Sequence, residues 1–126
     1  MPNSKISIRP IITTIQPSSV TSIEFFQNQT LRPIIKLQHA IVISLFRNIL
    51  IQKKRNFTEL DNSVKKEFIT NEIRKNIPLR NQLLGSILGM FTEDEFIRYT
   101  TFKSDIDRRV INICIERLHN SLEQLN

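Results

Sequence analysis

From residue 21 onward the apolar positions recur at spacings of three and four rather than two, which is the period of a helix and not of a strand. Thr21 followed by Glu24 has the capping-box spacing, and Ile23, Phe25 and Phe26 give an apolar side to a short helix ending near Asn28. Thr30 caps a second helix with Pro33 in its first turn, running to about Lys54. Its Ile, Leu, Val and Phe side chains point in almost every direction, leaving Lys36, Ala40, Ser44 and Arg47 as one narrow non-apolar strip, so it is expected to be central. A third helix over 61–75 sets Val64, Phe68, Ile69 and Ile73 against Lys65, Lys66, Glu67, Glu72, Arg74 and Lys75, the pattern of an outer helix. Asn76 and Pro78 restart the chain as a fourth helix over 79–91. Thr92 and Glu95 repeat the capping box and open a short helix carrying Phe96, Ile97 and Tyr99. Ser104 with Asp107 starts a last helix that reaches about Leu125 and carries Ile106, Val110, Ile111, Cys114 and Leu118 on its apolar side. Isoleucine favours strands by propensity, but no run alternates, and five caps at helical spacing outweigh that preference. The fold class predicted is all-α, a compact bundle of five or six helices with no β-sheet.

Residues 1–20 break this pattern with Pro2, Pro10 and Pro17 among Ser, Thr and scattered Ile, and read as an extended or mobile arm ahead of a single helical domain over 21–126. The arm lacks the unbroken apolar core of a secretory signal. The most apolar later run, 34–51, includes Lys36, Gln38, His39, Arg47 and Asn48 and is too polar for a membrane span. At 126 residues the domain is large enough to bury a core without disulfides. The one cysteine, Cys114, forms no intramolecular disulfide and suits a reducing cytoplasm; on an apolar helix side it reads as an inert core residue.

The only two glycines, Gly85 and Gly89, lie four apart in the fourth helix, opposite Leu83, Leu84, Ile87 and Leu88. An idle surface there would cost about 1 kcal/mol per glycine relative to alanine. Two readings account for them: a close helix crossing, with Ala40 and Ser44 as the natural internal neighbour, or a small-residue surface of Gly85, Ser86 and Gly89 for a partner chain or ligand. The second helix places Gln38 and His39 between apolar directions, so both should be partly buried and in need of partners. Arg80, Asn81, Gln82 and Tyr99 are the polar groups available, as a structural network or as a small polar pocket for an anion or amide. No second catalytic group accompanies His39 at a diagnostic spacing. Two isolated histidines make no metal site, and the Glu93, Asp94, Glu95 run is ordinary charge for a first helical turn. No catalytic residue, metal or cofactor is expected.

The net charge of +6 is uneven. Residues 31–80 hold eleven basic and four acidic side chains, while 81–126 hold five and seven. Lys53, Lys54, Arg55, Lys65 and Lys66 thus form a candidate phosphate-contact face, and a solvated helix end explains them equally well.

The order FFQNQTLRPIIKLQ, then LRNQLLGSILGMFTEDEF, then INICIERL, resembles a family of small all-helical bacterial proteins often labelled glyoxalase. The resemblance covers about residues 24–125 and implies a shared fold in a bacterial cytoplasm, with no active-site residues to carry over. A metal-dependent glyoxalase is built from paired βαβββ units with ligands on strands, and no such pattern is present here, so that activity is not expected. The leading expectation is a non-catalytic helical interaction or regulatory module, acting on a protein partner or as a homodimer. The alternative is nucleic-acid association through the basic 47–80 segment, and an enzyme matching the glyoxalase label ranks last.

Overall fold

The computed structural model describes residues 4–10 and 21–126, and every regular element among them is helical. Ahead of the domain, α1 is a single turn, Ser4–Ser7. The rest of the predicted arm, 1–3 and 11–20, lies outside the described residues.

At Thr21 the predicted cap forms, its hydroxyl oxygen accepting the Glu24 amide at 3.1 Å and opening α2, Ser22–Phe26. The chain does not leave the helix near Asn28, as the pattern predicts. It passes through a π-turn, Gln27–Leu31, straight into α3, Arg32–Leu37. Proline explains the wider turn. Pro33 offers no N–H to the Gln29 carbonyl, and its ring crowds that carbonyl; the turn before it opens so that the Arg32 amide bonds back to Gln27. Thr30 is therefore no cap. It is buried mid-helix, its hydroxyl 3.4 Å from Glu95 Oε2.

The actual break is at Gln38, where φ −89° and ψ 15° interrupt the helix and α4, His39–Gln52, departs at 63° to the preceding stretch. That bend divides the predicted second helix in two and exposes the strip of Ala40, Ile41, Ser44, Arg47 and Asn48. After a loop anchored by buried Phe57 come α5 (Asn62–Lys75), α6 (Ile77–Leu88), α7 (Glu93–Thr101), α8 (Lys103–His119) and a closing 3-10 turn, Leu122–Leu125. Asn76 caps α6 through the Leu79 amide, and Thr92 and Glu95 form the complete predicted capping box of α7.

The central element is α8 rather than α4. It packs against α3, α4, α5, α6 and α7, and Ile106, Val110, Cys114 and Leu118 are wholly buried along it. Leu31, Ile34, Ile35, Phe46, Ile69, Ile73, Leu83 and Ile87 complete the same core. On α5 the pattern differs from expectation: Val64 is exposed, whereas Lys65 and Glu72 are buried. Among the described residues no single helix is long and apolar enough to cross a membrane; the α2–α4 stretch reaches that composition only across its 63° bend.

Candidate functional site

The six polar residues expected to share a pocket are dispersed. Gln38, at the bend, donates its amide to the Ser86 carbonyl at 3.0 Å and ties α4 to α6. His39 turns the other way. Its Nε2 lies 2.8 Å from Gln124 Oε1, and Arg117 donates to Nδ1 at 3.2 Å, which suits the tautomer with its proton on Nε2 and leaves neither nitrogen free as a base. Tyr99 is buried at the α7–α8 junction and donates to Asp107 Oδ1 at 2.6 Å; burial, then the Asp107 carboxylate, raise its pKa. Asn81 and Gln82 are exposed. The 63° bend at Gln38 is the reason that no shared pocket forms, because it sends consecutive polar side chains to opposite neighbours.

The candidate phosphate face is partly tied into the fold: Lys65 is buried, and Lys53 and Arg55 have internal partners while staying exposed. Lys53 pairs with the buried Glu72 at 2.7 Å, the Arg55 guanidinium lies 5.0 Å over the Phe68 ring, and Lys65 donates to Asn126 while sitting 5.9 Å over Phe57. Arg55 and Lys65 thus flank an aromatic group, Phe46, Phe57 and Phe68, whose centroids are 5.8 to 6.2 Å apart. Lys54 and Lys66 are exposed, as are Lys53 and Arg55. Burial opposes ionisation of Glu72, but hydrogen bonds from Lys53 and Asn76 outweigh it and keep its pKa below the ordinary value.

No helix crosses close to the glycines among the described residues. A Cβ built at Gly85 would meet nothing within 4 Å, and one at Gly89 would meet only the Gly85 carbonyl at 3.2 Å, the group its own amide already bonds. The expected crossing by Ala40 and Ser44 does not occur. Gly89 is moreover the C-cap of α6 rather than an interior residue, which removes much of the cost assigned to it.

Two constellations were not legible as sites in the sequence. The first is the α6–α7 corner, where the N-terminal segment is held. Arg9 grips Glu95 with both terminal nitrogens, at 2.8 and 2.7 Å, and also donates to the Met90 carbonyl at 2.7 Å. Lys5 donates to the Phe91 carbonyl at 3.1 Å. The Arg9 and Glu95 side chains are only 7% and 17% exposed, so the described residues 4–10 of the predicted arm are docked at this corner. The carbonyls it uses follow the end of α6, where unpaired acceptors and the negative dipole end attract cations. A cleft of about 720 Å³ opens beside it, bounded by Lys5, Leu88, Phe91, Phe96 and Ile97. Ile6, Ile8, Phe96 and Ile97 all remain exposed.

The second is a cleft of about 480 Å³ between α5, α6 and the first half of α8, bordered by Arg74, Arg80 and Arg108. The Arg80 Nε is buried without an acceptor, a situation that costs about 1–3 kcal/mol. Arg9 and Arg117 also have a buried, unbonded Nε, but both use their terminal nitrogens, on Glu95 and His39 respectively.

Among the described residues no group of three or more His, Cys, Asp or Glu side chains is placed to hold a metal ion. Cys114 is buried, and burial pushes its thiol up to about 12, far from nucleophilic use. His119 Nε2 lies 3.0 Å from both the Thr70 hydroxyl and the Lys66 carbonyl, joining α8 to α5. The chain matches no protein-family model, no curated protein and no solved structure.

Proposed function

We propose that the chain is a non-catalytic helical interaction module whose partner-facing surface is the corner formed by the docked N-terminal segment and α7. One observation carries this reading: a segment is held there by its cations, while its apolar side chains stay outside. Arg9 and Lys5 are consumed by the corner, Ile6 and Ile8 of the same segment are left exposed, and Phe96 and Ile97 are exposed in the lining of the cleft. Exposed apolar side chains lining a cleft, as Phe96 and Ile97 do, favour a protein contact over ordinary surface. His39 and Cys114, the residues with most chemical potential, are occupied and buried respectively, which favours binding over catalysis. The nucleic-acid reading loses some support because Lys65 is buried and Lys53 and Arg55, though exposed, each face an internal partner.

The test is photo-crosslinking in cells with benzoylphenylalanine at position 97 and, as control, at position 51. Ile97 is 64% exposed and Ile51 73% exposed, so exposure alone favours the control. Discrete adducts at 97 exceeding those at 51 are expected, and an adduct of twice the chain mass identifies a second copy as the partner. Equal labelling at the two positions, or none at 97, overturns the proposal.

A further inference from the structure

We propose that the cleft between α5, α6 and α8 binds the phosphate group of a small phosphorylated molecule. The cleft gathers three guanidinium groups from three helices: Arg74 in the last turn of α5, Arg80 in the first turns of α6, and Arg108 on α8. Neither the Arg74 nor the Arg80 guanidinium makes a hydrogen bond or ion pair among the described residues. Arg108 reaches only its helical neighbour Asp105. The one carboxylate in the lining is Asp107, and both its oxygens are already engaged, one by the Tyr99 hydroxyl at 2.6 Å and the other by Lys103 at 2.8 Å. The cleft therefore holds excess positive charge, with Arg74 and Arg80 left without a carboxylate partner among the described residues.

Arg80 is the sharpest element. Its Nε is buried and unbonded, and its charge stands near the positive end of the α6 dipole, where a cation is disfavoured unless an anion joins it. Guanidinium forks match phosphate oxygens two at a time, and the Ser104 hydroxyl and Asn112 amide add neutral donors at the opposite wall. The volume is that of a small-molecule site. A concave cleft supplied by three arginines favours a small phosphate ester over an extended nucleic-acid backbone. This inference does not depend on the α7 corner.

The experiment is a calorimetric titration of the full chain with inorganic phosphate and with glucose 6-phosphate, at ionic strength matched by chloride. Arg80→Gln and Lys66→Gln are run in parallel, with a short oligonucleotide as a competitor. Saturable binding of either phosphate probe is expected, weakened about ten- to hundredfold by Arg80→Gln and unchanged by Lys66→Gln. Amide NMR of the unmodified chain gives a readout independent of how the variant folds, with shifts on phosphate addition confined to residues around 74–80 and 104–112. No binding, equal binding by Arg80→Gln, or shifts spread over the surface overturns the proposal. So does oligonucleotide binding that phosphate fails to displace.

Discussion

At the scale of single residues the glycines invert their expected meaning. Gly85 lies inside α6 with open space where its side chain would be, so a methyl group adds helix propensity and meets nothing. Gly85→Ala should stabilise the fold by about 1 kcal/mol, which at this size raises Tm by about 3–6 °C. A fall in Tm on thermal unfolding would show that another molecule, or a part of the chain outside the described residues, presses on that face. Gly89→Ala should gain less, because its Cβ meets the Gly85 carbonyl at 3.2 Å and the helix ends there. The helical wheel made it legible that Gly85 lies opposite the leucines. What lies over it was not, since that depends on the direction α4 takes after Gln38, and nothing in the residue pattern encodes a 63° turn at that position.

At the scale of elements, legibility followed the caps. Asn76 and Thr92 have short polar side chains ahead of apolar runs, and α6 and α7 begin directly after them, whereas Ser104 lies inside α8, which starts at Lys103 without a side-chain cap. Thr30 has the same chemistry and failed as a cap because proline widened the helix before it instead of starting a new one. The docked N-terminal segment was missed for a different reason: its anchors are charges, and a search for apolar periodicity passes over them. That docking carries a pH dependence. Burial alone raises the Glu95 pKa, but hydrogen bonds from Arg9 and from the Thr92 amide outweigh it and hold the carboxylate below its ordinary value of 4.5. A carboxyl with a depressed folded-state pKa contributes its full stability above the unfolded value and loses it as pH falls through the folded one. The segment should therefore stay docked at neutral pH and detach in acid below about pH 4.5, with Ile6 and Ile8 methyl NMR signals moving to unstructured positions. Arg9→Met should produce the same shifts at neutral pH and cost about 1–3 kcal/mol in urea unfolding. Methyl signals unmoved by both acid and the substitution would mean that the ion pair does not hold the segment.

At the scale of the molecule, one helix, α8, joins α3 through α7, and the chain's only cysteine reports on it. Cys114 is wholly buried in the middle of α8, among side chains from the elements packed around that helix. Its thiol, pushed up to about 12 by burial, has almost no thiolate at pH 8, and no reagent reaches it while α8 keeps its neighbours. Labelling therefore requires α8 to come away from the core, which this packing allows only when the whole domain opens. With ordinary domain stability, alkylation of the native chain should be at least about a thousandfold slower than of the urea-unfolded chain. The logarithm of the labelling rate should rise with urea along the slope of global unfolding. A shallow urea dependence would reveal a local opening of α8, and with it a domain divided into separately stable parts. A steep one means that the α7 corner and the arginine cleft, both built against α8, share a single cooperative fold, so a ligand that binds either site stabilises the other.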